Sequence, residues 1–196
     1  VELNEVYRAP PVLVAPYNRL AYGGRLVSKK ADDASPLSEI GLVKPGSPQL
    51  LLIDVDGEQD RNPHTLSLYN NAELQTIHRL LRKIPISWKK DIMIICLYRE
   101  QWRRLQSSGL GEHVKILTVD SAQGKESSIV ILMTTRTQAS DDKSFFDSVE
   151  RCNVAVSRQQ KALIILGKAD LLTTKDPWST VVNGDDFTRM RARDIY

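Results

Sequence analysis

What is scarce in this 196-residue chain narrows its chemistry before any motif is considered. It has two cysteines, Cys96 and Cys152, each inside an apolar stretch and neither in a CxxC or Cys/His spacing. A disulfide scaffold or zinc site is therefore not expected, and a reducing compartment, cytoplasmic or nuclear, is. The three histidines, His64, His78 and His113, are scattered without ligand spacing or a partnering carboxylate. They support neither a metal site nor a Ser/His/Asp or Cys/His nucleophile. No apolar run approaches the roughly 18 residues of a membrane span, and no signal-peptide pattern opens the chain, so no membrane partner is expected. Net charge is only +3, so any contact with nucleic acid must be a local surface and not a global basic field. The most consequential absence is a GxxxxGK[ST] phosphate loop: if nucleotide chemistry occurs, the loop that cradles the phosphates comes from elsewhere.

What is present is ordinary for a globular domain: 41% hydrophobic and 26% charged residues, in a length that buries a real core. The chain starts at Val1, which suggests a piece of a longer protein. Residues 1–30 are turn-rich, with a short helix near Val12–Leu20. Residues 28–48 carry Pro36, Pro45, Pro48, Gly41 and Gly46 and read as an exposed loop. Leu50–Val55, Ile92–Leu97, Val114–Val119, Ile129–Thr134 and Leu163–Gly167 are short apolar runs, the pattern of strands covered on both faces. Gly57–Pro63 reads as a charged loop. Leu74, Ile77, Leu80 and Leu81 mark a helix capped at Asn70 or Asn71, with Glu73 in its first turn. Glu100–Gln106 and Asp147–Arg158 have helical character. Strands alternating with helices predict an open, mainly parallel α/β sheet with helices on both faces, a three-layer sandwich without a phosphate loop. Functional residues in such sheets collect past the carboxyl ends of the strands.

Several polar clusters abut these strands. In Asp120–Glu126, Gly124 permits a close backbone approach, and Gln123 and Glu126 offer hydrogen bonds to a ribose, a water or a neighbouring domain. The same segment also reads as a plain polar turn. Arg151 and Arg158, seven apart, share a face if the helix is continuous; they are then either a polyphosphate-binding pair or two solvated arginines. Tyr7-Arg8 pairs a stacking ring with a phosphate-reaching cation. Tyr98–Gln101 offers a ring and an amide to nucleic acid, or simply opens a helix.

Taken in order, these blocks resemble the second, C-terminal RecA-like domain of superfamily 1 helicases of the RNA-decay-factor and senataxin type. Val6–Pro11 with Tyr22–Leu26 is similar to the family's YRMHP and FYxGxL blocks. Gly57-Glu58 with Ser67–Glu73 resembles G-x-E and S-x-x-N-x-x-E. Ile92–Gln101 resembles ITPYRAQ, Thr118–Glu126 resembles VDxFQGxE, and Arg151–Arg158 resembles RxNVAxTR. The resemblance covers most of the chain: residues 1–48 as entry segment and loop, 49–172 as core sheet, 173–196 as C-terminal tail. It implies Tyr7 stacked near adenine, with Arg8 and Arg158 on the β- and γ-phosphates as the catalytic pair. It implies Gly124 and Glu126 lining the ribose and phosphate side, and Tyr98, Gln101, Thr118 and Ser121 holding single-stranded RNA or DNA. It implies no metal ligand within this chain. ATP and Mg2+ would be held mainly by an N-terminal RecA-like domain of the same protein, with further protein partners conceivable. The whole would be an ATP-dependent 5′-to-3′ helicase, and this chain alone inactive. Against the pattern, Pro10 replaces His, Ala122 replaces Phe, Leu97 replaces Pro, Glu150 replaces Arg, and Gln159-Gln160 replace Ala-Arg. Those departures motivate an alternative, a degenerate lobe that binds RNA or protein without catalysis.

Overall fold

The computed structural model describes residues 4–32, 35–140 and 144–195. In chain order its elements are β1 (Glu5–Val6), α1 (Pro11–Ala21), β2 (Val27–Ser28), α2 (Pro36–Glu39), β3 (Leu50–Asp54), β4 (Asp60–Arg61), β5 (Leu68–Tyr69), α3 (Asn71–Lys83) and α4 (Ile86–Lys89). There follow β6 (Ile92–Cys96), α5 (Arg99–Gln106), β7 (Lys115–Thr118), β8 (Ser127–Met133), α6 (Val149–Ala155), β9 (Gln159–Gly167), α7 (Ala169–Thr174), α8 (Trp178–Val182) and β10 (Thr188–Arg191). Six strands form the central sheet in the order β10-β3-β9-β8-β6-β7, with every neighbouring pair parallel.

The continuous apolar runs take the inner positions because both of their faces are covered. Successive side chains of a strand point to opposite faces. Leu50, Leu52, Met93, Ile95, Val130, Leu132, Leu163 and Ile165 accordingly pack on one side with Leu13 and Tyr17 of α1, Cys152 of α6 and Trp178 of α8. Leu51, Ile53, Ile92, Ile94, Ile131, Met133, Ile164 and Leu166 pack on the other with Leu37 of α2, Ile77, Leu80 and Leu81 of α3, and Leu105 of α5. The edge strands are different. In β7 Lys115 is exposed, and β10 alternates half-buried with exposed residues, since each covers only one face fully. The architecture is the expected RecA-like three-layer α/β fold.

Helix α3 starts where the sequence places it. The Asn70 side-chain oxygen accepts from the backbone N–H of Ala72 at 2.9 Å and of Glu73 at 3.2 Å, satisfying donors that have no partner within the helix.

Four segments differ from expectation. The stretch 28–48, outside the undescribed Asp33 and Ala34, is not simply an exposed loop. It carries α2, and Leu37, Leu42 and Val43 are buried in the second core. Its apolar residues are too widely spaced among prolines and glycines to register as an element. In Gly57–Pro63, Asp60–Arg61 pairs antiparallel with Leu68–Tyr69 to form a small hairpin. The stretch expected as a tail holds α8, whose Trp178 is buried and donates its indole N–H to the Phe146 carbonyl at 2.8 Å, and β10, which pairs with β3. The helical reading of Asp147–Arg158 is too long. Helix α6 ends at Ala155, and Arg158 lies beyond it, one residue before β9.

Candidate functional site

The register of β8 and β9 builds the first site. Ser127 pairs with Gln159, and the Ser127 N–H donates to the Arg158 carbonyl at 3.1 Å. The residues just before these parallel strands, Glu126 and Arg158, are therefore brought to the same end of the sheet. Gln159 is fully buried, and its amide donates to the Leu13 carbonyl at 3.1 Å, tying this end of β9 to α1. Arg8, just ahead of α1, reaches across to Glu126, with Nη1 2.6 Å from Oε1. The second Glu126 oxygen accepts from the Gln160 amide at 3.1 Å. Gly124 turns the chain toward this corner with φ +74°, in the left-handed region that glycine adopts without strain.

The electrostatics favour an anion here. Burial, followed by the like charge of Arg8, lowers the pKa of Arg158. A guanidinium nevertheless stays protonated, so two partly desolvated cations face one carboxylate. Among the described residues the side chain of Arg158 hydrogen-bonds only its neighbour, donating Nε at 3.3 Å and Nη2 at 2.8 Å to Ser157 Oγ. Tyr7 is 69% exposed and donates its hydroxyl to Glu5 at 2.6 Å, leaving the ring open. This cluster lies at the amino ends of β8 and β9, contrary to the expectation that the informative residues gather at carboxyl ends.

The second site does lie at carboxyl ends, those of β6 and β7. A groove of about 580 Å³ is lined by Tyr98, Arg99, Trp102, Thr118, Ser121 and Phe145, among others. The Tyr98 and Phe145 rings sit 5.9 Å apart. The hydroxyls of Thr118 and Ser121 are 2.9 Å from each other. Burial raises the pKa of Tyr98, so its phenol is neutral at physiological pH. Three of the four residues expected to hold nucleic acid thus share one groove.

The fourth, Gln101, does not. It is fully buried, its carbonyl accepts from the Asn70 N–H at 2.8 Å, and its amide donates to the Asn70 carbonyl at 3.2 Å and to Glu73 at 3.4 Å. Lying three residues past the Tyr98 cap of α5, Gln101 faces the interior, where its polar groups are spent on the chain itself. Beside it Glu73, also fully buried, accepts from the Thr135 N–H at 2.7 Å. Burial pushes the Glu73 pKa up to about 8 in spite of that bond.

Arg151 is likewise separated from Arg158. It pairs with Asp120 at 3.1 Å and lies over the Phe145 ring at 3.8 Å, so the two arginines do not form one face. Tyr17 and Gln160 belong to the first site and were not singled out as site residues from the sequence. Tyr17 sits at helical spacing from Leu13 and Val14 and reads there as core. Gln160 was visible only as a departure from the family pattern. Among the described residues, no cluster of His, Cys, Asp and Glu could hold a metal ion, and no helix is long and apolar enough to cross a membrane.

Comparison with known proteins bears on the family and the fold. The family model described as "AAA domain" matches residues 1–170. The helicase sen1 of Schizosaccharomyces pombe is 29% identical over 162 residues, covering 76% of this chain and 10% of that protein. The 5′-3′ DNA helicase ZGRF1 of Mus musculus is 31% identical over 193 residues, covering 93% and 10% respectively. Regulator of nonsense transcripts 1 of Dictyostelium discoideum is 28% identical over 190 residues, covering 90% and 14%. Overall the chain spans between 10% and 23% of the length of the curated relatives it matches. A solved C-terminal domain of a possible DNA helicase from Lactobacillus plantarum shares the fold, with TM-score 0.53 at 11% identity over 93% of this chain and 98% of that one.

Proposed function

The chain belongs to the AAA domain family and to the superfamily 1 helicases of the RNA-decay-factor and senataxin type, and from that premise we propose that it is the second of two RecA-like lobes of an ATP-driven helicase. Its amino-end cluster takes the phosphates of an ATP bound chiefly by the other lobe. Arg8 and Arg158 contact the β- and γ-phosphates, Gly124 and Glu126 line the ribose side, and the open ring of Tyr7 stacks on adenine. The arrangement of Arg8 and Arg158 fits a phosphate, since an anion relieves the repulsion of two partly desolvated guanidiniums and offers each a fork of acceptors. Magnesium, when bound with the nucleotide, supplies charge neutralisation at the β- and γ-oxygens. Its ligands and the phosphate loop belong to the first lobe.

The carboxyl-end groove takes single-stranded nucleic acid. Tyr98 and Phe145 offer aromatic faces, Thr118 and Ser121 offer hydroxyls, and Arg99 offers charge. Gln101 has no part in this contact and supports the groove from beneath.

The observation that carries the reading is the convergence of Arg8, Glu126 and Arg158 from segments more than thirty residues apart. In the intact protein, Arg158→Ala is expected to abolish most ATP hydrolysis while leaving the melting temperature unchanged. Near-normal turnover would refute the phosphate contact. The isolated 196-residue chain is expected to hydrolyse no ATP.

A further inference from the structure

The amino-end cluster contains two complementary buried polar groups that lack a close hydrogen-bond partner among the described residues. Tyr17, on the inner face of α1, is 2% exposed, and its hydroxyl has no close hydrogen-bond partner among the described residues. Arg8 Nε, just ahead of the same helix, is also buried and also lacks a close partner among the described residues. Buried polar atoms are paired in the great majority of cases and an orphan is costly, so two together at one corner call for an explanation. They are neighbours: Arg8 bears on the Tyr17 hydroxyl as a charge and through a side-chain hydrogen bond too loose to satisfy either atom, Arg158 bears on it as a charge, and the Tyr17 ring meets Tyr22 edge-on with centroids 6.4 Å apart. What holds them short of a close bond is visible as well. Glu126 draws the far end of the Arg8 guanidinium to itself at 2.6 Å, and Gln160 steadies the carboxylate.

We propose that Tyr17 is a positioning residue for Arg8: when a phosphate displaces Glu126 from Arg8, the Arg8 Nε–H donates to the Tyr17 hydroxyl oxygen, which fixes the guanidinium with its Nη edge toward the phosphate. This rests on the assignment of Arg8 to the phosphates made above. The resting state stores Arg8 on Glu126, and the engaged state stores it on Tyr17. Satisfying Nε by a buried hydroxyl leaves both terminal nitrogens for a bidentate contact, the geometry that distinguishes arginine from lysine at a phosphate. The hydroxyl proton of Tyr17 is then directed toward the anion, adding a dipole of the right sign.

The test is a double-mutant cycle in the intact protein, read as ATPase kcat and KM. Tyr17→Phe keeps the buried ring and removes only the oxygen. It is expected to lower kcat/KM about 10-fold, the loss typical of one hydrogen bond to a charged group, and to do so in wild type but not in an Arg8→Ala background. A merely structural role for the ring oxygen would lower the melting temperature and act equally in both backgrounds. If Arg8→Ala is inactive and Tyr17→Phe is indistinguishable from wild type, the positioning role is overturned and the phosphate assignment stands. If Arg8→Ala itself turns over normally, the phosphate assignment falls first. Should Tyr17→Phe fail to fold, a structure of the wild-type protein with a non-hydrolysable ATP analogue decides. An Arg8 Nε to Tyr17 Oη distance near 2.9 Å supports the proposal, and an Nε directed elsewhere overturns it.

Discussion

The two ends of the central sheet are built in opposite ways. At the amino ends of β8 and β9 the functional groups are charges, partly open to solvent, held by Glu126 bridging Arg8 and Gln160. At the carboxyl ends of β6 and β7 they are rings and hydroxyls around a groove, shored from below by the buried Gln101, Asn70 and Glu73 network. On the function proposed above, the difference teaches how one lobe can serve two ligands. A polyphosphate needs movable cations that shed an internal counter-ion, whereas a strand needs a rigid platform of aromatic faces. The segment Thr118–Glu126 visits both ends, giving Thr118 and Ser121 to the groove and Gly124 and Glu126 to the cations.

Substitutions at each end should therefore separate. The largest expected effect is Arg158→Ala, which lowers ATP turnover of the intact protein by about 10³-fold, the range seen when an arginine is removed from transferring phosphate. A steady-state ATPase assay measures it.

Next comes the groove's support. Gln101→Ala leaves the Asn70 backbone N–H and carbonyl without their partner in a buried site, so a loss of about 2 kcal/mol in folding stability is expected from urea unfolding. Glu73 adds a pH signature. Its folded pKa of about 8 lies above the usual 4.5, so the folded chain keeps a proton that the unfolded chain has released. The resulting stability is full below about pH 4.5, declines as pH rises toward 8, and is flat beyond, for a total on the order of a few kcal/mol. Unfolding midpoints at pH 5 and pH 8 should show that decline in wild type, and Glu73→Gln should flatten it.

Tyr98→Ala is expected to weaken single-stranded RNA binding about 10-fold in a fluorescence titration, with nucleic-acid-independent ATP hydrolysis nearly unchanged. The smallest effect belongs to Arg151→Ala. Its pair with Asp120 is exposed, so a stability change under 1 kcal/mol is expected, with ATPase within about threefold of wild type. The contrast with Arg158, seven residues on, tests whether the break in α6 separates their roles.

Much of this was legible in the chain. The unbroken apolar runs announced the inner strands because both of their faces are covered, and Asn70 announced its helix because capping chemistry is local. Arg8, Glu126 and Arg158 were named from their blocks, although only strand register brings Glu126 and Arg158 together. Long-range compensation was not legible. Gln101 looks like a surface amide until α3 packs over it, and Tyr17 looks like core because its ring is core and only its oxygen is not. Strand β10 was missed because a half-covered edge strand, Thr188–Arg191, carries too few apolar residues to register.

The division of labour between the two ends is tested most directly by titrating nucleotide-free Arg158→Ala protein with a labelled single-stranded oligonucleotide. Affinity within about twofold of wild type is expected, since the proposed strand-binding groove lies at the opposite end of the sheet from the amino-end cations. A loss as large as that of Tyr98→Ala would contradict the separation of the two sites.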